Sequence, residues 1–341
     1  MDMKPLLPAI LFAVSLDAAF ASGVRDDETK VGSGLAYASA VAISDLMENG
    51  NIVRLSQVGA KAMPADIAPL GKLPFKMKQV KRPVFKSNRL IISDGDKDSA
   101  GKVTKALNAK IAELSAMGGG RLIVPEGRWL TGRVELQSNV ELYLAEGARL
   151  EFSASIADYQ PAVFTRHEGI EVMGAGAFIY ANGAKNIALT GHGVVSGPPM
   201  DVEMRTLRNG NSVVEKDVDY RLPVAERLCD GLDGRTFYRP KSFAPINCKN
   251  VLVEGATFER SVLWNINPIY CDNVIIRGVT VNSVGVPSGD GIDISSCKNV
   301  LIEYSTLSCG DDCFTLKSGR AEDGLRVGRP TENVVIRYCL A

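Results

Sequence analysis

Six segments of the chain begin with asparagine and run straight into alternating aliphatic residues: NVELYL from Asn139, NIALTG from Asn186, NVLVEG from Asn250, NVIIRG from Asn273, NVLIEY from Asn299 and NVVIRY from Asn333. The steps between them are 47, 64, 23, 26 and 34 residues, the first close to two turns of about 23 and the others one turn or one turn plus an insertion. Alternation with period two makes each copy a short strand with one face inward. Glycines and polar residues separate the copies where crossover helices would need an amphipathic pattern. Successive strands must therefore stack as coils, and the pattern predicts an all-β fold, a parallel β-helix. The repeat asparagine reads as a corner residue that tolerates left-handed geometry and bonds its amide to neighbouring coils. Cys248, Cys271 and Cys297 each stand two positions before a repeat asparagine. They are expected to stack inside as small buried hydrophobes.

A solenoid must cover its apolar end. Ser99 to Met117 places Val103, Leu107, Ile111 and Leu114 on one helical face and stops at Gly118-Gly119-Gly120, which predicts an N-terminal capping helix. The expected organisation is a signal peptide over residues 1–21, an extension without clear period over 22–85, and the β-helix over 86–341. Residues 198–240 interrupt the repeat as a long excursion beside the coils, of the kind that borders binding sites.

The signal segment has an early lysine, an apolar stretch from Leu6 to Leu16 and Ala19-Phe20-Ala21 before Ser22. It predicts export, to a secreted or periplasmic destination. No later stretch approaches the roughly 20 apolar residues of a membrane span, so no membrane partner is expected. With 39 basic against 39 acidic side chains, the chain has no global attraction for nucleic acid. Its one acid-free basic run, Lys72 to Arg89, reads as a solvated linker edge. The seven cysteines, 229, 248, 271, 297, 309, 313 and 339, all lie in the C-terminal third and are odd in number, so they are not a framework for the whole chain. A monomer is expected.

The chemistry concentrates in two successive coils. VPSGDGIDIS places Asp290 nine residues before Asn299, and SCGDDCFTLK places Asp311 and Asp312 one turn later. Coils stack about 4.8 Å apart, which would bring three carboxylates together on one side of the solenoid. Gly289, Gly291 and Gly310 flank them and let the chain turn and a ligand approach. Adjacent aspartates in a regular strand point to opposite faces, so both can face one groove only if Gly310-Asp311-Asp312 leaves regular strand geometry. Like charges this close raise at least one pKa, supplying a protonated acid beside an ionised base. That pairing suits hydrolysis of a glycosidic bond. Lys317 and Arg320 follow and could bind a substrate carboxylate. The spacing alone leaves retention or inversion open.

The stretch GVPSGDGIDISSCKNVLIEYSTLSCGDDCFTLKSGR resembles glycoside hydrolase family 28, the polygalacturonases, whose pattern is Asn-x-Asp-Gly followed about twenty residues later by Gly-Asp-Asp. The likeness runs from about Leu73 to the end and includes GGGRLIVPEGRWLTGRVELQSNVELYLAEGARLEFS and NIALTGHGVVSGP. LPFKMKQVKRPVF and the SGR…GRPTENVVIRYC ending are most similar to bacterial exo-acting members. The resemblance implies a right-handed parallel β-helix of the pectin-lyase-like kind, hydrolysis of α-1,4-linked galacturonan in pectin with inversion, and no metal or other cofactor. It assigns the general acid to Asp311 and water activation to Asp290 and Asp312. The sequence departs from the family at Ser288, where asparagine is usual, and at Asn267, where related exo-enzymes often have histidine. The family's Gly-His-Gly and Arg-x-Lys motifs lie downstream of Gly-Asp-Asp and are not reached by Ala341, which leads to the expectation of a C-terminally truncated chain of weak or no activity. Gly191-His192-Gly193 lies far upstream and aligns with a variable Thr-Gly-x-Gly segment, so neither His192 nor His167 is expected to be catalytic. The other readings are a related rhamnogalacturonan hydrolase, a β-helix that binds pectic saccharide without cleaving it, and a calcium-dependent lyase. The lyase is disfavoured because the aspartate cluster lacks an evident arginine base.

Overall fold

The computed structural model describes residues 63–205 and 214–341. The signal segment and most of the 22–85 extension lie outside the described residues. The asparagine corners appear where the repeat places them. Asn139, Asn186, Asn250, Asn273, Asn299 and Asn333 all have left-handed backbone, with φ between 54° and 65°. Asparagine is among the few residues that adopt this conformation readily, because its short amide bonds locally.

Here the amides also bond along the solenoid axis. The Nδ2 of Asn186 donates to Asn139 Oδ1 (2.9 Å), Asn250 to Asn186 (2.8 Å), and Asn273 to Asn250 (3.0 Å). Asn299 donates instead to Asp272 Oδ1 (2.8 Å), and Asn333 resumes the ladder on Asn299 (3.1 Å).

Each corner launches a strand of an eight-stranded sheet in which every pairing is parallel. The register aligns Ile187, Val251, Val274, Val300 and Val334 on successive rungs, and two residues on, Leu189, Val253, Ile276, Ile302 and Ile336. These positions face the interior, where most are fully buried. A second parallel sheet of six strands forms another wall. A third wall runs from the pair Ala177–Asn182 and Lys241–Ile246, through the bridges Phe243 to Ile266 and Ile266 to Ile292, to the pair Ile292–Ser295 and Phe314–Lys317. Strands returning to the same wall on every turn make the parallel β-helix expected from the repeat.

The outer face of the eight-stranded sheet is covered as well. Ala188, Leu252, Ile275 and Leu301 point away from the interior yet are buried in a cluster with Val80, packed by Ile67, Leu70, Met77 and Phe85. A strap of non-repetitive chain over residues 63–85 therefore lies on this face. Within the basic run, Lys72, Lys76, Lys78 and Lys81 stay in solvent while Val80 and Pro83 turn inward. Two residues further along the outer face, Glu254, Arg277, Glu303 and Arg337 alternate in charge from rung to rung, paired at 3.3, 3.0 and 2.7 Å. Strap carbonyls complete the row: Pro64 O accepts from Arg277 (2.7 Å) and Ala68 O from Arg337 (2.9 Å). Both faces of these strands are thus buried at their centre, which explains the near-continuous aliphatic runs.

Cys248, Cys271 and Cys297 are buried thiols whose Sγ atoms lie against backbone carbonyls of the same corner. Helix α1 (Thr104–Ala116) closes one end, with Leu107, Ile111 and Leu114 buried and Gly118 and Gly119 leaving it at φ 84° and 118°. The excursion after Ser196 holds short 3₁₀ turns and the two-residue strand Leu228–Cys229, which pairs with the hairpin strand Ile170–Gly174.

Asn250 donates to one neighbour and accepts from another, at φ 56°. Replacing it with alanine removes both bonds and leaves a β-carbon in the left-handed region. Glycine removes the bonds alone. Asn250→Ala should therefore be less stable than Asn250→Gly by about 1 kcal/mol in urea unfolding, and both less stable than wild type. Equal stability of the two variants would contradict the corner argument.

Candidate active site

The third wall positions the aspartates. Asp290 ends the turn before Ile292–Ser295, and Asp311 and Asp312 occupy the bend before Phe314–Lys317, which pairs with it in parallel. Gly291 N donates to Asp312 O (2.8 Å) and Ile292 N to Cys313 O (2.9 Å), so the two segments stack one coil apart. Gly310 makes the bend possible: a β-carbon there would lie 2.3 Å from Val286 O. The Gly310-Asp311-Asp312 segment leaves strand geometry, and both aspartates line the same cleft as Asp290.

The cleft encloses about 510 Å³. Its three carboxyls differ sharply in exposure, since Asp290 is only 3% exposed whereas Asp311 and Asp312 stand in solvent. Burial pushes the Asp290 carboxyl up to about 8, with Asp293 and Asp311 adding to the rise and Lys317 opposing it. The sequence argument attributes a raised pKa to like-charge crowding; in the structure, desolvation is the larger cause.

Lys317 reaches between two carboxyls. Its Nζ lies 3.1 Å from Asp293 Oδ1 and 3.7 Å from Asp290 Oδ2, and 4.3 Å from the centre of the Trp264 ring. Arg320 sits at the rim, where Nη1 pairs with Glu168 at 2.8 Å. Glu168 and Gly169 form the turn of the hairpin Val163–His167 and Ile170–Gly174. Helix α2 (Ala321–Val327) fastens this hairpin to the coils: Asp323 pairs with Arg227 at 2.8 Å and accepts from Glu171 N at 2.8 Å.

Ser288 lines the cleft with φ 53°, a conformation that asparagine adopts at less cost. Asn267 does not line the cleft. It is fully buried, donating to Asp293 O (2.7 Å) and Ser295 Oγ (3.0 Å). His192 is exposed on the corner against Gly255, and His167 is buried with its ring 4.0 Å from that of Tyr238. Neither histidine lines the cleft.

Sequence reasoning did not single out Asp293, Trp264 or Glu168. Asp293 was visible as the second acid of GDGID, at the outward parity of its strand between the core residues Ile292 and Ile294. Trp264 had a weaker signal, its place in the coil before Asp290. Glu168 had none, because it enters from a hairpin outside the repeat.

Residues 229–328 match the model of glycosyl hydrolases family 28. The structure resembles that of a hyperthermoactive exopolygalacturonase from Thermotoga maritima, with 32% identity and a TM-score of 0.65 over 76% of this chain and 63% of that one. The chain is similar to glycosyl hydrolases family 28 over this segment. The family segment spans both aspartate coils and ends just past α2. A probable polygalacturonase of Vitis vinifera is 28% identical over 244 residues, covering 69% of this chain and 45% of that protein. An exo-poly-alpha-D-galacturonosidase of Dickeya chrysanthemi is 24% identical over 238 residues, covering 63% and 39%. The chain thus spans less than half the length of these two curated relatives.

Because folding raises the proton affinity of Asp290, the folded state binds more protons than the unfolded one. Stability must then fall as pH rises from about 4, the ordinary carboxyl value, to about 8. Asp290→Asn removes this loss. The variant should melt above wild type at pH 8 by a few degrees and match it near pH 4, as read by calorimetry. A lower melting temperature at pH 8 would contradict the burial argument.

Proposed function

We propose that this chain carries the acid/base site of a polygalacturonase-type hydrolase that cleaves α-1,4-galacturonosyl linkages of pectic polygalacturonan with inversion. The observation that carries the reading is the convergence of one buried carboxyl and two exposed ones on a single cleft, one coil apart. In this reading Asp311 protonates the leaving oxygen while Asp290 and Asp312 activate water. A base of raised proton affinity, once ionised, is the better acceptor of a proton from water. Trp264 offers an aromatic wall to the sugar.

Arg320, at the rim, is placed to exchange its contact with Glu168 for a uronate carboxylate. Lys317 reaches such a carboxylate only by leaving Asp290 and Asp293. The pattern of the first 21 residues supports an exported protein, secreted or periplasmic, which is where pectic polymer would be met.

Incubation with polygalacturonate at mildly acidic pH should release reducing ends, and Asp311→Asn should lower that rate by about 10²- to 10⁴-fold. Unchanged release by the variant would overturn the assignment. Binding of oligogalacturonide in calorimetry without any release would replace hydrolysis by saccharide binding.

A further inference from the structure

Beneath the cleft lies a second carboxyl that no substrate would touch. Asp293 is fully buried on the strand Ile292–Ser295, with its Oδ1 taken by the Thr315 hydroxyl and by Lys317 Nζ. Its Oδ2 meets no donor among the described residues, and neither does Asp290 Oδ1. The two side chains are within hydrogen-bonding reach of each other. Two carboxylate oxygens are both acceptors, so they can bond only if a proton lies between them.

The surrounding charges set how many protons the pair holds. Lys317 faces both carboxyls, buried Lys241 acts on Asp293 from two coils before, and Asp311 faces Asp290 from the next coil. Lys241 is held by Arg166 O (2.8 Å) and Thr165 Oγ1 (3.2 Å), and burial lowers its pKa to about 7. Lys317 is the ammonium that lies directly against both carboxyls. Two ionised carboxylates beside one ammonium would leave a net negative charge in a dry site, whereas a singly protonated pair is neutral with Lys317.

We propose that Asp293 is a positioning residue that shares one proton with Asp290, Lys317 balancing the remaining charge, so that the cleft carboxyl is held in one orientation as half of a monoanionic pair. Such a pair titrates as a unit. Its role in catalysis rests on the hydrolase reading of Asp290, whereas the pairing itself does not.

Isotope-edited infrared spectroscopy of the chain labelled with ¹³C-aspartate tests the pairing without any substrate. The wild type should keep one protonated aspartate band above pH 6, and Asp290→Asn should lose it. In Asp293→Asn the band should titrate away more than about one pH unit lower. If the labelled chain also hydrolyses polygalacturonate, Asp293→Asn should lower kcat about 10- to 100-fold with KM unchanged. Absence of the band in wild type, or an unmoved midpoint in a folded Asp293→Asn, would overturn the proposal. Because the wild-type spectrum requires neither a folding variant nor turnover, failure here is distinct from failure of the hydrolase reading.

Discussion

A side-chain amide bonded to the amide of the next coil, repeated from Asn139 to Asn333, sets the geometry on which the rest of the molecule depends. Each asparagine is held at positive φ, so each turns the chain at the same corner and starts the next strand in the same register. Register in a β structure has period two, and a slip of one residue would expose every interior aliphatic. The ladder and the stacked Val, Ile and Leu rungs therefore enforce each other. The single break, where Asn299 bonds Asp272, leaves the rungs aligned.

The site is a consequence of that register. Because Ile292 pairs with Phe314, the residues before them are brought within one coil spacing, and Asp290 is stacked under Asp311 and Asp312. Stacking also decides which acid loses water. Asp290 lies under the next coil and is buried, while the Gly310 bend throws its two neighbours outward. Desolvation is the largest cause of the raised proton affinity of Asp290. Lys317, 3.7 Å from Asp290, then offsets part of the cost of keeping that carboxyl in a dry wall.

What could be read in advance follows from which interactions are periodic. The coils, the asparagine corners, the cysteine stack, the capping helix and the alignment of the three aspartates all repeat or terminate a repeat, so the sequence carries them locally. The strap over residues 63–85 has no period of its own. It is dictated by the apolar outer rung of Ala188, Leu252, Ile275 and Leu301, visible as aliphatics at the outward parity but silent about what covers them. The Glu168–Arg320 rim was hidden for a different reason: it joins a hairpin to a coil some 150 residues away through a contact that neither segment encodes alone. Lys317 was legible as a cation near the acids, but its placement between Asp290 and Asp293 depends on side-chain packing against Trp264.

In the proposed reaction the three stacked aspartates surround the bond to be broken. A crystal structure of the Asp311→Asn chain with a bound oligogalacturonide tests it directly. The account predicts a glycosidic oxygen within about 3.2 Å of residue 311 and an ordered water held by Asp290 and Asp312 on the opposite side of the sugar ring. An oligosaccharide seated elsewhere, with no glycosidic oxygen in reach of any of the three, would contradict it.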